Sequence, residues 1–274
     1  VTGVQTCALP ISFDDAQRTV KDLFADLDFR SSVHLSAVNS INLARILAQS
    51  VYYLYSWLNL PVQKRDETAF VVPTGNFGNV FAGWLLTKMG IPISEFRVAT
   101  NQNDVLHRLF KSGQYSLDTV MPSLAPSMDI QVASNFERLL YYFLDCNTSR
   151  VVEVMSKFRE QGKYSFDEFS IKGFSSVSTE DSEIPELIKM VKHKFGYLVD
   201  PHTACAFKDL DPKKQAVILA TAHPAKFPAV YESAGMKIPV SPILERLKNV
   251  EPKFYDVPVD SSSIRSFILD TISQ

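Results

Sequence analysis

The sequence predicts an α/β fold built on a parallel, twisted sheet flanked by helices. The first observation behind this is Thr68–Val72 (TAFVV), a short apolar run with β-branched residues bounded by polar chain, the signature of a buried strand. A glycine-bearing turn, an apolar helix and a second such run, Phe96–Ala99, come after it. Strand, turn, helix and strand within about thirty residues make a βαβ unit, whose two strands must run parallel. A further buried-strand candidate, Ala216–Ala220 (AVILA), lies far along the chain. The intervening chain reads as mostly helical, at Asp104–Lys111, Asn135–Asp145, Val151–Gln161, Ile184–Lys194 and Thr203–Asp209.

Taken in order, Ser12–Phe24 reads as a helix with Ser12 as N-cap, Asp14 and Asp15 in the first turn, and Val20, Leu23 and Phe24 on one face. Asn39 or Ser40 opens a longer helix running to about Leu58, ended by Asn59 and Pro61. Polar Gln63–Glu67 is a surface loop. The turn Pro73–Asn79 leads into a helix over Val80–Met89, closed by Gly90 as its C′ residue. The polar stretch Ser170–Glu183 reads as a loop between two helices.

With 274 residues, 46% hydrophobic, and 28 basic against 30 acidic side chains, the composition is that of a core-forming enzyme-sized chain. It excludes a disordered tail and argues against a nucleic-acid binder, which carries a basic excess. No apolar run reaches the roughly 18–20 residues that span a bilayer; Ile41–Leu60 is interrupted by Arg45, Gln49, Ser50 and Asn59. Three cysteines, Cys7, Cys146 and Cys205, form no disulfide framework, so a reducing compartment is the default. Cys146 and Cys205 read as buried small residues. His202 and Cys205, at i and i+3, lack two further ligands for zinc, and no metal is expected. Val1–Ile11 (VTGVQTCALPI) is unlike the rest of the chain and reads as a non-native, adapter-like segment outside the fold.

The sharpest local feature is Pro73-Thr74-Gly75-Asn76-Phe77-Gly78-Asn79, between a strand and a helix. Its two glycines permit positive φ and close approach of a ligand. The next helix offers unpaired N–H groups and the positive end of its dipole, and Asn76 and Asn79 add amide donors. The loop lacks both the Gly-Lys-Ser/Thr ending of a nucleotide loop and the G-x-G-x-x-G spacing of a dinucleotide fold. A single phosphate monoester is the ligand that fits; an ordinary βα turn has the same appearance.

Val72–Val80 (VPTGNFGNV), with Ala99–Asp104 (ATNQND) after the next strand, resembles the threonine synthase family of fold type II pyridoxal-phosphate enzymes, which are tryptophan synthase β-like. Ala37–Gln49 (AVNSINLARILAQ), Ala125–Leu139 (APSMDIQVASNFERL), Asp200–Ala204 (DPHTA) and Thr221–Phe227 (TAHPAKF) carry the same resemblance in the same order. It implies pyridoxal 5′-phosphate as cofactor, cradled at Gly75, Asn76, Phe77, Gly78 and Asn79. It also implies that the Thr221 hydroxyl faces the ring nitrogen, a neutral partner that moderates the electron sink. From the residues alone, Thr221 reads first as a strand-end threonine bonding its own backbone.

The reaction implied is conversion of O-phospho-L-homoserine and water to L-threonine and phosphate, the phosphate leaving Cγ and water adding at Cβ. The substrate phosphate needs its own anion site. Asn39, Ser40 and Asn42 cluster at a helix start, with Arg45 one turn on, and the guanidinium fork suits phosphate. A capped amphipathic helix with Arg45 in a surface ion pair is the alternative. Asp200 reads as a helix cap and His202 as structural.

The family's Schiff-base lysine belongs to an upstream Phe-Lys-Asp segment. Ala206-Phe207-Lys208-Asp209 copies those residues, but its flanks lack the small-residue, Pro-Thr approach, and Lys208 reads as a surface residue on an amphipathic helix. The expectation is therefore a C-terminal portion of a cytoplasmic enzyme, inactive alone. Residues 12–35 would be a remnant of a preceding domain, and 36–274 part of the cofactor-binding domain with a helical insertion around 104–200. Apolar surface should lie exposed where further chain would pack. A phospholyase acting on a related phosphate ester and a non-catalytic phosphate-binding module are the rival readings.

Overall fold

The computed structural model describes residues 13–36, 42–247, 250–251, 255–258 and 260–272. Val1–Ile11 and the candidate residues Asn39 and Ser40 lie outside them. In chain order the elements are α1 (Phe13–Ala25), α2 (Leu27–Ser32), α3 (Leu43–Asn59), β1 (Ala69–Pro73), α4 (Gly78–Lys88), β2 (Glu95–Thr100), α5 (Val105–Ser112), β3 (Gln114–Ser116), α6 (Phe136–Phe143), α7 (Thr148–Gln161), β4 (Lys163–Ser165), β5 (Phe174–Ser178), α8 (Ile184–Phe195), α9 (Pro201–Cys205), β6 (Ala216–Ile218), α10 (Pro228–Ser233), α11 (Pro242–Leu247) and α12 (Ser261–Ile272). The chain divides into two compact units, one of residues 1–38 with 242–274 and the other of residues 39–241.

In the larger unit the strands order as β5-β2-β1-β6, every neighbouring pair parallel, as the βαβ pattern requires. All five residues of β1 are buried, because β1 is central and covered on both faces. Phe70, Val72, Phe96 and Val98 from β1 and β2 join Val80, Phe81 and Leu86 of α4 and Leu106 and Leu109 of α5 in one core. Gly83 sets how closely α3 lies on α4: a Cβ there would meet the Tyr53 ring at 2.4 Å. Tyr53 is fully buried, and its ring sits 5.1 Å from Phe70. Against this buried face, α3 exposes Leu43, Leu47, Val51, Tyr55 and Leu58 at helical spacing, with Tyr52 beside them.

Four expectations need correction. Ser170–Glu183 is not wholly loop: Phe174–Ser178 forms β5, paired along β2 from Phe96↔Phe174 to Thr100↔Ser178. It lies at the sheet edge and only Val177 is buried, so its serines hid the strand pattern. The helical stretch between the βαβ unit and β6 also contains a short antiparallel pair, β3 with β4. The helix expected at Thr203–Asp209 starts earlier and stops at Cys205, with Asp200 as cap and Pro201 at its first position; the chain then turns, reaching φ 52° at Asp209. Lys208 thus sits in a turn and not on a helix, and its Nζ donates to Glu183 Oε2 at 2.6 Å. Cys146, expected buried, is exposed, whereas Cys205 is buried.

The described elements of the smaller unit, α1, α2, α11 and α12, are all helices. The Asp26 side chain caps α2 by accepting the Phe29 N–H and pairs with Arg265 of α12 at 2.6 Å. That guanidinium lies over the buried Phe29 ring at 4.7 Å, a cation–π contact. No helix of the described residues is long and apolar enough to cross a membrane.

Candidate active site

Parallel strands deliver their C-terminal ends to one edge, where open α/β sheets hold ligands. Here that edge carries the loop after β1, the Asn101–Asp104 turn after β2 and the chain after β6.

The loop after β1 is held from behind. Thr74 N–H donates to the Ala99 carbonyl at 2.7 Å. The Asn135 backbone and side-chain N–H groups both reach the Asn76 carbonyl at 3.1 Å, and the Ser134 hydroxyl donates to Asn76 Oδ1 at 3.3 Å. The positive φ expected of the glycines falls instead on Phe77, at 65°. Burial enforces this: the Phe77 ring packs 5.6 Å from Phe136 and within 6.4 Å of Phe110 and Phe174. Gly75 is needed for a different reason, since a Cβ there would lie 2.7 Å from the Ser127 carbonyl oxygen. Phe77, the N-cap residue, lays no side-chain cap over α4, and the first turn of a helix carries N–H groups and a dipole end suited to an anion.

Asn79 turns toward α3. The Tyr53 hydroxyl lies 2.9 Å from both the Asn79 carbonyl and its side-chain oxygen, and burial drives the phenol well above its ordinary pKa. Sequence reading missed Tyr53; its position seven residues after Ile46 on the buried face of α3 was the available signal.

A cavity of about 710 Å³ opens here, lined by Arg45, Gln49, Tyr52 and Ser56 of α3, by Asn79, and by Val217 through Thr221. Three of the residues singled out in the sequence, Arg45, Asn79 and Thr221, thus meet in one cavity. Gly75, Asn76, Phe77 and Gly78 are not among its lining residues. Asn42 is not either: its side-chain oxygen accepts the Ala44 N–H at 3.0 Å, making it the N-cap of α3, which begins at Leu43. Thr221 is exposed, and its N–H donates to Thr203 Oγ1 at 3.2 Å. His223 accepts the Ala225 N–H at 3.1 Å and so shapes the next turn.

Two of the motifs knit a support beneath the site. Asp129 Oδ1 accepts from Asn101 Nδ2 at 2.7 Å and Asn103 Nδ2 at 2.9 Å, while its Oδ2 accepts the Ser123 N–H at 2.9 Å. Both asparagines are buried, and pairing them satisfies polar groups that would otherwise be costly to bury. Near them, Asp200 gathers His202 and Thr203. Burial works to raise its carboxyl, but hydrogen bonds from those two side chains hold it below the usual value. Among the described residues no cluster of histidine, cysteine, aspartate or glutamate suits a metal ion.

A parallel α/β core with an anion-type loop and a polar cavity at its strand ends is the ligand-binding architecture of an open α/β enzyme. Residues 201–268 match the family described as "Threonine synthase, C-terminal". The threonine synthase of Pseudomonas aeruginosa is 41% identical over 277 residues, covering 97% of this chain and 59% of that protein. Among solved structures, the pyridoxal-phosphate-bound threonine synthase from Brucella melitensis superposes with a TM-score of 0.80 at 38% identity, over 93% of this chain and 57% of the other. The yeast enzyme gives 0.77 at 34% identity, over 96% and 57%. The chain belongs to the threonine synthase family. It spans a little over half the length of these relatives.

Proposed function

We propose that this chain supplies the cofactor- and substrate-phosphate-binding part of a threonine synthase, which converts O-phospho-L-homoserine and water to L-threonine and phosphate. The observation that carries the reading is the meeting of Arg45, Asn79 and Thr221 in one cavity. The residues present fit pyridoxal 5′-phosphate: an uncapped α4 N-terminus for its phosphate, and a strand-end hydroxyl at Thr221 for its ring nitrogen. When bound, the cofactor supplies an electron sink for carbanion chemistry at the substrate's α-carbon.

The chain's own residues have distinct tasks in this reading. Asn76, Phe77, Gly78 and Asn79 direct backbone and amide donors at the cofactor phosphate, and Gly75 keeps the loop against Ser127. Thr221 offers a neutral partner, so the ring nitrogen is not held protonated as a carboxylate would hold it. Arg45, exposed on the first turn of α3, holds the substrate phosphate before and after its bond to Cγ breaks. Asn39, Ser40 and Asn42 belong to the same segment, with Asn42 setting the start of the helix.

In this reading the cofactor-bearing lysine belongs to the Phe-Lys-Asp segment that the family resemblance implies, and no lysine lines the cavity among the described residues; the chain by itself is expected to release no threonine. The test joins to this chain the part of the Pseudomonas aeruginosa enzyme outside the aligned region and supplies O-phospho-L-homoserine and pyridoxal phosphate. Threonine and phosphate in equal amounts are expected, with loss of both on Arg45→Ala. A keto acid in place of threonine would make the parent a phospholyase. A folded chimera that forms neither product would overturn the reading.

A further inference from the structure

We propose that Asp200, His202 and Thr203 form a positioning bridge that fixes Thr221 relative to the loop carrying Gly75. The proposal rests on the functional reading above, which makes these the two ends of the cofactor site. All three bridge residues are buried, at 1%, 3% and 2% exposure.

The hydrogen bonds converge on the Asp200 carboxylate from both sides, and their donors fix the ring tautomer. Ser127 N–H donates to His202 Nε2 at 3.1 Å, so Nε2 is unprotonated and the ring proton sits on Nδ1. Nδ1 donates to Asp200 Oδ1 at 2.9 Å. The Thr203 hydroxyl donates to Asp200 Oδ2, and its oxygen accepts the Thr221 N–H at 3.2 Å. At the far side, the Ser127 carbonyl occupies the space that a Cβ on Gly75 would need, 2.7 Å away. One carboxylate thus ties the strand end bearing Thr221 to the residue on which the phosphate loop rests.

Capping the five-residue α9 would require only the bonds from the His202 and Thr203 backbone N–H groups to Asp200. The imidazole adds nothing to the cap; it reaches a residue 75 positions away in sequence. A buried imidazole–carboxylate pair is costly to assemble unless every lone pair and proton is used. Here both ring nitrogens and both carboxylate oxygens are engaged.

The test uses two substitutions in the whole 274-residue chain. His202→Asn keeps a donor near Nδ1 for Asp200 but is too short to reach Ser127. Thr203→Val deletes the hydroxyl that holds Thr221. Amide hydrogen exchange without ligand is expected to speed up at least tenfold at Ser127 in the first variant and at Thr221 in the second. The other end of the bridge should change less than twofold in each. Pyridoxal phosphate should bind at least fivefold more weakly to both variants, whereas inorganic phosphate, which has no ring to meet Thr221, should be weakened by His202→Asn alone. Uniform acceleration across α9 with unchanged affinities would overturn the bridge and leave a plain helix cap. If the unsubstituted chain binds neither probe, the functional reading fails, and the bridge then stands or falls on the exchange pattern.

Discussion

The two ends of the proposed cofactor site are built to different standards. The loop after β1 extends from a central strand with every residue buried, is braced by Asn135 and Ser134, and has the Phe77 ring driven into the core. Thr221 lies after β6, an edge strand of three half-buried residues, and is itself exposed. One end is fixed by packing; the other depends on a single backbone bond to Thr203. Stability and ligand affinity should therefore separate: damage to the loop costs both, and damage at Thr221 costs affinity alone.

The largest expected effect is from Phe77→Ala. Losing a buried ring that contacts three others should destabilise the chain by about 3–5 kcal/mol, measured by denaturant unfolding, and abolish phosphate binding with it. Gly75→Ala comes next. A methyl 2.7 Å from a backbone oxygen forces the loop to move, at about 1–3 kcal/mol, and calorimetry should show phosphate affinity falling more than stability.

Asp200→Asn should act at both ends with a pH signature. The folded carboxyl titrates below its ordinary value, so its stabilisation is complete above the unfolded value of about 3.9 and is lost as pH falls through the lower folded value. Unfolding free energy measured against pH should show that acid-side loss in the natural chain and a flatter limb in Asp200→Asn. Near neutrality the variant should be weaker by roughly 1–3 kcal/mol, because buried donors lose a charged acceptor. Thr221→Ala is the smallest in stability, within about 0.5 kcal/mol as for other exposed sites, yet it should weaken pyridoxal phosphate binding. A large melting shift in Thr221→Ala would erase the contrast between the two ends.

The better-packed end was also the more legible in sequence. TAFVV, the glycine turn and the apolar helix announce β1, the loop and α4 because a buried parallel strand is uniformly apolar and its turn needs special residues. The positive φ was legible only in part, since tertiary packing moved it from a glycine to Phe77. β5 was hidden because this edge strand carries only Phe174 and Val177 as apolar residues and has serines at its other three positions. Arg45 and Thr221 were marked by the family resemblance, while their sharing a cavity depends on α3 lying close over Gly83, which no local pattern encodes. The Asp200–His202–Ser127 connection was invisible for the same reason: its partners are distant in sequence.

The most direct test of the shared site is a titration of the 274-residue chain with pyridoxal 5′-phosphate, monitoring amide resonances of Gly75, Asn76, Phe77, Gly78, Asn79 and Thr221. Both ends should shift together and saturate along one isotherm, and Arg45 should not be required for it. Movement of the loop resonances with Thr221 unchanged, or no saturable movement at either end, would contradict a single cofactor site spanning β1 and β6.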